Sequence, residues 1–430
     1  MQPGNMVLTK RPGGSRGVLV DTARRMQPPP AALITDEPQL IPPEAGPTLV
    51  VADAAQAIID LGRYARSQMK GTLIGVTGSS GKTTTVAMLT HILEAWGEVG
   101  QTRHNANLPH GIAWNLASMP WGAPYTVMEM AIGRMAENTQ LVRPNMAVFT
   151  NIAPAHLEYH GTTAEVARKK SAIFDGMQAG EPAILNRDML EWPIVHDAAL
   201  RNRLQVVPYG RHPESRFRLL DYSPTDGVVQ ADLAGQTLRY RVGAPGEHMA
   251  LNSLAVLAAV TMQGLDLAPA LERLETFAPL PGRGARVARV FGGKPVEVLD
   301  EAYNANPASM EAALRLLAAQ APHGGRRLLV LGDMLELGPD APQYHAALAP
   351  AVQAARADRI YLCGPMMQHL AQALEDAGVK AWWFPEVEAL QAALFDHLAA
   401  HDFLLIKSSA GTRLSEIVEA LQSQTPLETA

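Results

Sequence analysis

The hydrophobic positions along the chain change spacing repeatedly, from short continuous runs to positions three or four residues apart. Residues 73–76 form an apolar run of strand length. The positions behind that run are spaced as on one face of a helix: Val86, Leu89, Ile92, Leu93 and Trp96. Further apolar runs of strand length follow in the last third of the chain, at 296–299, 327–331, 359–362 and 403–406. Strands that alternate with helices are typical of a parallel sheet covered by helices, so we predict an α/β fold.

Breaks in this pattern indicate the domain boundaries. The N-terminal region is rich in Pro, Gly and Arg and contains two segments of strand character, 17–20 and 32–35, so we expect it to be short and partly disordered. Further on, Leu280-Pro281-Gly282-Arg283-Gly284 interrupts the chain after a helical stretch. We therefore predict a reduced N-terminal region over 1–48, a central domain with a parallel sheet over 49–278, and a C-terminal Rossmann-like α/β domain over 279–430.

A glycine-rich segment separates the run at 73–76 from the helix behind it. From residue 75 the sequence is Gly-Val-Thr-Gly-Ser-Ser-Gly-Lys-Thr-Thr-Thr. Backbone N–H groups and the positive end of a helix dipole at such a place bind an anion. The strict phosphate-binding loop has glycine where this chain has Val76, so the segment is a variant of it. We expect Lys82 to reach the β- and γ-phosphates of a bound nucleotide, and Thr83 or Thr84 to place a hydroxyl on Mg²⁺.

The composition is that of a globular protein of two or three domains. Of 430 residues, 47% are hydrophobic and 18% are charged. A net charge of −6 provides no basic surface for a nucleic acid, and we expect none as a partner. The single cysteine, Cys363, cannot form an intramolecular disulfide, which fits a reducing compartment. We find neither a signal peptide nor a run long enough to span a membrane, so we expect a cytoplasmic protein without a membrane partner.

Two more predicted strands carry polar residues at or just beyond their carboxyl ends. Glu129 ends one strand, and His156 follows the strand at 146–152. In a parallel sheet both side chains would face the crevice beside the phosphate loop, where a metal ligand is expected. Taken alone, a glutamate at a strand end is more often a solvated or capping residue, and a loop histidine is more often structural. Lys169 and Lys170 begin a helix, and without context they are a surface charge pair.

Several segments combine these residues into one pattern: 77–84, 150–152 with 155–158, 246–248 with Asn252, Asp300 with 303–307 and 309–310, and 331–334 with 336–338 and His345. From about residue 49 to its C-terminus the chain thereby resembles the Mur ligase family. These ATP-dependent enzymes join an amino acid or peptide to a carboxylate during cell-wall precursor assembly. The last two segment groups point to the MurF branch, which adds the dipeptide D-alanyl-D-alanine.

The resemblance implies roles for individual residues. The catalytic residues would be Lys82, Glu129, His156 and Lys170. Two Mg²⁺ ions would be held by Thr83, Thr84, Glu129, His156 and Lys170, the last after carbamylation. The nucleotide would contact Gly78, Ser79, Ser80, Gly81, Lys82, Thr83, Thr84, Asn252, Arg283, Asp300, Asn304 and Asn306. The acceptor and the amine would contact Asn105, Asn107, Tyr303, Asp333, His345 and Lys407.

The resemblance also implies a reaction. ATP would phosphorylate a carboxylate, and the acyl phosphate would react with an amine to form an amide bond, releasing ADP and phosphate. The partners would be small molecules: a carboxylate acceptor and an amino acid or dipeptide that supplies the amine. The oligomeric state does not follow from the sequence.

The departures from the family pattern gather on the substrate side. The N-terminal region is short for a domain that binds a UDP-sugar, and Leu108 and Ala113 stand in the acceptor-side loop. Near the C-terminus, Ser408 and Ala410 replace glycine and arginine, and Glu301 stands in place of an aspartate. These changes leave an alternative open. The chain would then join a small carboxylic acid to an amino acid or dipeptide in specialised metabolism.

Two other function classes fit the sequence less well. A non-catalytic regulator that binds nucleotide would not need the complete set of predicted catalytic residues. A phosphotransferase that acts on a hydroxyl would not need the C-terminal segments 303–307 and 331–334. We therefore favour the ligase over both.

Overall fold

The computed structural model describes residues 5–11, 17–103, 106–155, 157–224, 226–320, 324–423 and 425–426. Across these ranges the strands form three sheets that follow one another along the chain, with four, nine and seven strands. Parallel pairing dominates, so the predicted α/β fold is confirmed. Within the same ranges, no helix combines the length and the apolar character that crossing a membrane requires.

The first sheet is formed by the N-terminal region. Its parallel strands are β1 (Met6–Lys10), β2 (Val18–Leu19), β3 (Ala32–Thr35) and β4 (Thr48–Val50), and helix α1 (Val20–Arg24) follows β2. Val7, Ala23 and Leu33 form a small core beneath them. The two predicted strands are confirmed as β2 and β3. The sequence did not predict β1, because strands this short carry too little apolar pattern to be detected without their partners. Strand β4 lies at the predicted start of the central domain and pairs with β3.

The central sheet has the order β13-β12-β11-β10-β9-β8-β5-β7-β6. Its strands are β5 (Thr72–Thr77), β6 (Val99–Gln101), β7 (Tyr125–Glu129), β8 (Met146–Phe149), β9 (Pro182–Asn186), β10 (Gln205–Gly210), β11 (Phe217–Tyr222), β12 (Val228–Leu233) and β13 (Gln236–Arg241). Its helices are α2 (Ala54–Gln68), α3 (Lys82–Leu93), α4 (Pro109–Ser118), α5 (Met135–Val142), α6 (Leu157–His160), α7 (Thr163–Ser171), α8 (Trp192–Arg201), α9 (Glu247–Met262) and α10 (Leu267–Glu275). Strands β11 to β13 pair antiparallel at one end of the sheet, and the others pair in parallel.

The C-terminal sheet has the order β18-β17-β16-β19-β15-β14-β20. Its strands are β14 (Ala285–Phe291), β15 (Lys294–Glu301), β16 (Arg327–Gly332), β17 (Arg359–Cys363), β18 (Trp382–Phe384), β19 (Asp402–Lys407) and β20 (Thr425–Pro426). Its helices are α11 (Pro307–Ala318), α12 (Ala341–Ala346), α13 (Ala349–Ala354), α14 (Met367–Asp376), α15 (Val387–His397) and α16 (Ser415–Gln422). The parallel strands β15 to β19 give it the expected Rossmann-like layout. The domain boundaries after residues 48 and 278 stay a prediction.

One edge of the central sheet brings three loops together. The neighbouring strands β8, β5 and β7 are parallel, so their carboxyl ends meet at that edge. Apolar residues of α3 and α9 pack on one face of the sheet, and those of α4 and α5 pack on the other. Ligands of open α/β sheets bind in the crevice beyond the carboxyl ends of the strands. This edge therefore locates the candidate site.

Candidate active site

The glycine-rich segment forms the turn between β5 and α3. Gly81 precedes α3 with a φ of +78°, and Gly78 has a φ of +147°. A Cβ atom on Gly78 would collide with the hydroxyl of Thr150. Both positions therefore favour glycine. No side chain of the described residues caps α3, so its first backbone N–H groups are available to an anion.

Replacing Gly78 by alanine should weaken nucleotide binding about 30-fold, because backbone strain and the collision together cost ~2 kcal/mol. Calorimetric titration with ADP measures this affinity. Gly180→Ala is a matched control, since Gly180 has a φ of +89° but open space at its Cβ position. An unchanged affinity for ADP in the Gly78 variant would contradict the assignment of this turn as the phosphate loop.

The loop after β8 holds the phosphate loop in shape. Ser80 donates its backbone N–H to Asn151 Oδ1 at 2.9 Å, and Asn151 Nδ2 donates to Ser80 Oγ at 2.8 Å. Thr150 Oγ1 donates to the carbonyl of Ser80 at 2.6 Å, and Ser79 N donates to the carbonyl of Asn151 at 2.9 Å. The sequence placed Thr150 and Asn151 in a motif but gave them no role. Their position directly after β8 was the available signal.

Lys82 turns back over the loop. Its Nζ donates a hydrogen bond to the carbonyl of Gly78, 2.9 Å away. Burial lowers the pKa of Lys82; Glu129 opposes this shift, and Arg283 adds to it. The hydroxyl of Ser79 is buried and has no hydrogen-bond partner among the described residues. A phosphate group in the loop would satisfy both the cation and the hydroxyl.

Glu129 lies at the end of β7, where the sequence places it, and its carboxylate is buried. Oε2 accepts a hydrogen bond from Thr83 Oγ1 at 2.6 Å, and Oε1 accepts one from Asn107 Nδ2 at 3.1 Å. The backbone N–H of Glu129 donates to Thr102 Oγ1 at 2.8 Å. The described residues include no group of three or more His, Cys, Asp or Glu side chains that could hold a metal ion. The carboxylate and the hydroxyl of Thr83 fit Mg²⁺, which usually takes one or two carboxylates together with substrate phosphates.

Lys170 is fully buried, whereas its neighbour Lys169 lies on the surface and contacts His160 at 3.0 Å. The interpretation of the two lysines as a surface charge pair was therefore wrong for Lys170. Its Nζ has no hydrogen-bond partner among the described residues. Burial lowers the pKa of Lys170 well below its ordinary value; Lys82 lowers it further, and Glu129 opposes both. The Lys170 amine therefore lies within electrostatic reach of Lys82 and Glu129.

A cavity of about 230 Å³ lies between the phosphate loop and the C-terminal sheet. From the central part it is lined by residues that include Ser80, Gly81, Thr84 and, on α9, Asn252. From the C-terminal part it is lined by residues that include Arg283, Glu301, Asn304, Arg315 and Lys407. The structure therefore brings together four predicted contacts from distant parts of the chain: Asn252, Arg283, Asn304 and Lys407.

Sequence reasoning missed the roles of Glu301 and Arg315 in this cavity. Lys407 is almost fully buried, and its Nζ donates to Glu301 Oε2 and to the carbonyl of Asn304, both at 3.1 Å. The sequence marks Glu301 only as a departure from the family pattern. Its partner Lys407 lies 106 residues further along the chain, so their pairing leaves no local signal in the sequence. Arg315 follows Ala312 on α11 at helical spacing, and that spacing was its only signal.

Asp300 and Asn306 hydrogen-bond to backbone groups and do not line the cavity, so their predicted contact with the nucleotide stays a prediction. The buried carboxylate of Asp300 accepts hydrogen bonds from Gly282 N at 2.7 Å and Ala302 N at 3.1 Å. Burial raises the pKa of Asp300, and these two N–H groups oppose the shift. Asn306 caps α11 by accepting a hydrogen bond from Ser309 N at 2.9 Å.

Asp333 and His345 are buried within the C-terminal part rather than in the cavity lining. The carboxylate of Asp333 accepts hydrogen bonds from Met366 N at 3.2 Å and Met367 N at 2.9 Å, at the start of α14. His345 Nε2 accepts one from Met334 N at 2.9 Å. Burial raises the pKa of Asp333 and lowers that of His345. The two side chains shape the loop after β16.

Of the remaining predicted site residues, Asn107 and Tyr303 can be located in the structure. Asn105 and His156 lie outside the described residues. Asn107 lies in the site, where it contacts Glu129. The ring of Tyr303 lies beneath the Arg283 guanidinium, whose carbon is 4.2 Å from the ring centroid.

Two protein-family models match successive parts of the chain. The Mur ligase middle domain matches residues 76–260, and the Mur ligase glutamate ligase domain matches residues 282–410. A UDP-N-acetylmuramoyl-tripeptide–D-alanyl-D-alanine ligase of Synechocystis sp. is 31% identical over 403 residues, which cover 92% of this chain and 84% of the relative. The chain belongs to the Mur ligase family.

Two further members of the family resemble this Mur ligase. The ligase of the same name from Escherichia coli is 30% identical over 391 residues, covering 87% of this chain and 82% of the relative. The crystal structure of MurF from Acinetobacter baumannii superposes with a TM-score of 0.81 and 26% identity, over 97% of this chain and 90% of that one. The resemblance to the MurF branch is thereby confirmed.

Proposed function

We propose that this Mur ligase uses ATP to join D-alanyl-D-alanine to UDP-N-acetylmuramoyl-tripeptide in peptidoglycan synthesis. The proposal is carried by the phosphate loop, which holds Lys82, contacts the buried Glu129 through Thr83, and lines the cavity opposite the C-terminal part. Relatives that match over most of their length bear the names of this activity. We place the reaction in the cytoplasm, where ATP is available.

The residues fit transfer of the γ-phosphoryl group of ATP to a carboxylate. A carboxylate oxygen of the acceptor attacks the γ-phosphorus, the bond from that phosphorus to the β–γ bridging oxygen breaks, and ADP leaves. Lys82 and Arg283 place positive charge where negative charge spreads over the phosphoryl oxygens. The amine nitrogen then attacks the acyl carbon, the carbon–oxygen bond to phosphate breaks, and the nitrogen loses a proton to solvent.

Mg²⁺, when bound, supplies further neutralisation of the phosphate charge. Thr83 and Glu129 offer two oxygen donors that already lie 2.6 Å apart. We propose that Thr84, His156 and Lys170 complete the ligands for two ions. Lys170 would act as a carbamate, since carbamylation requires a neutral amine and burial favours that form of this lysine.

The same geometry suits the exclusion of water, which would hydrolyse an acyl phosphate. The phosphate loop and the C-terminal part face each other across the cavity. Glu158 N at α6 contacts the carbonyl of Glu336, 3.4 Å away in the loop after β16. We propose that closure of the C-terminal part on ATP precedes the transfer step.

The names of the relatives do not favour the alternative, a ligase that joins a small carboxylic acid to an amino acid or dipeptide. Phosphate release from MgATP, measured across a panel of acceptors and amines, distinguishes the two. We expect release that requires both UDP-N-acetylmuramoyl-tripeptide and D-alanyl-D-alanine. Release with a small acid and an amino acid, and none with the UDP-linked acceptor, would contradict the proposal.

A further inference from the structure

The guanidinium of Arg283 is held by an aromatic ring rather than by a carboxylate. Its carbon lies 4.2 Å from the centroid of the Tyr303 ring. In the described part of the chain, no Asp or Glu side chain forms an ion pair with Arg283. The side chain lines the cavity together with Ser80 and Gly81 of the phosphate loop. The protein therefore leaves this positive charge available to a ligand at the phosphate end of the cavity.

Close contacts and hydrogen bonds hold the backbone that carries Arg283 and Tyr303. Gly282 has a φ of +72°, and a Cβ atom there would lie 2.7 Å from the Cβ of Tyr303. Tyr303 N donates to the carbonyl of Gly282 at 3.3 Å, while Gly282 N donates to Asp300 Oδ2 at 2.7 Å and Gly284 N to the Asp300 carbonyl at 2.8 Å. The start of the arginine side chain and the ring are therefore fixed against each other. The rotatable bonds of Arg283 remain, and the ring restricts them.

We propose that Tyr303 is a positioning residue whose ring holds the Arg283 guanidinium over the phosphate end of the nucleotide cavity. Ordering a long side chain only when ligand binds costs conformational entropy, and a ring beneath the guanidinium removes part of that cost beforehand. Attraction between a cation and an aromatic face supplies the contact, so the ring rather than its hydroxyl carries the effect. The inference rests on the proposed function, because it assigns Arg283 to the γ-phosphate of ATP.

The first test compares two substitutions of Tyr303. Tyr303→Leu, which removes the ring, should lower kcat about tenfold and change KM for MgATP much less, since the contact matters most as phosphoryl charge develops. Tyr303→Phe keeps the ring and should restore most of that loss. A Phe variant as slow as the Leu variant would overturn the proposal.

A double-mutant cycle separates positioning from general damage. In an Arg283→Ala background, Tyr303→Leu should lower kcat less than about twofold further, because the ring has nothing left to position. A full tenfold loss in that background would overturn the proposal. Trp192→Leu is a matched control, since Trp192 lies under Arg187 at 4.7 Å in another part of the molecule. We expect its kcat to match that of the unmodified protein.

Nucleotide binding keeps this inference testable even if the proposed substrates prove wrong. Calorimetry compares a non-hydrolysable ATP analogue with ADP, and neither measurement needs turnover. Tyr303→Leu should weaken binding of the ATP analogue about twofold more than binding of ADP, which lacks the γ-phosphate. Equal weakening of both ligands, or of neither, would overturn the proposal and leave the proposed reaction untouched.

Discussion

Replacing Lys82 by alanine should lower the ligase kcat about 10³-fold, while the protein remains folded. Lys82 Nζ lies over the phosphate loop, 2.9 Å from the Gly78 carbonyl, where it can meet the transferred phosphoryl group. Removing one preorganised donor from a developing negative charge typically costs 10²- to 10³-fold in kcat, and Lys82 also carries a full charge. Phosphate release in the presence of both substrates measures the effect, and circular dichroism checks the fold.

Lys70→Ala is the matched control for this variant, because Lys70 is exposed at the end of α2. It removes the same side chain and the same charge away from the loop, and it should keep the unmodified rate. Substantial ligase turnover by the Lys82 variant would mean that the loop does not bind the phosphates that react.

Glu129→Gln should lower kcat about 10²-fold or more and raise the Mg²⁺ concentration needed for half-maximal rate, since a metal ion contributes several kcal/mol to phosphoryl transfer. Glutamine has nearly the same shape and can still contact Thr83 and Asn107, so the fold should persist. The substitution removes the negative charge that a cation requires. Initial rates measured over a range of Mg²⁺ concentrations test the prediction.

Glu94→Gln serves as the control for Glu129. Glu94 directly follows α3, the helix that begins at Lys82, and its exposed carboxylate pairs with Arg273. We expect the Glu94 variant to need the same Mg²⁺ concentration for half-maximal rate as the unmodified protein. An identical Mg²⁺ dependence of the Glu129 variant and the unmodified protein would remove Glu129 from the metal site.

The local sequence pattern was sufficient to predict the elements that position Lys82 and Glu129 in the central sheet. The apolar run before the loop and the helical spacing behind it place Lys82 at a strand–helix turn, and Glu129 ends the neighbouring strand. These predictions depend on residues close in sequence. The N-terminal sheet has more strands than the sequence predicts, because its strands are short and their partners are distant in sequence.

In the C-terminal motifs, sequence pattern alone could not distinguish ligand contacts from hydrogen bonds that stabilise the fold. A buried polar side chain can contact a ligand or satisfy a backbone N–H group, and both uses favour the same residue types. Asp300 and Asp333 accept hydrogen bonds from backbone N–H groups, whereas Lys407 lines the cavity. Its partner Glu301 and the buried state of Lys170 depend on packing between distant segments, so only the folded structure could identify them.

The central claim is that the carboxylate is activated by phosphorylation, and isotope transfer tests it most directly. The acceptor carboxylate is labelled with ¹⁸O in both oxygens, and the inorganic phosphate and the amide product are analysed by mass spectrometry. If an acyl phosphate forms, one labelled oxygen leaves with the phosphate and the other stays in the amide carbonyl. Phosphate that is released together with amide product but carries no label would contradict the account.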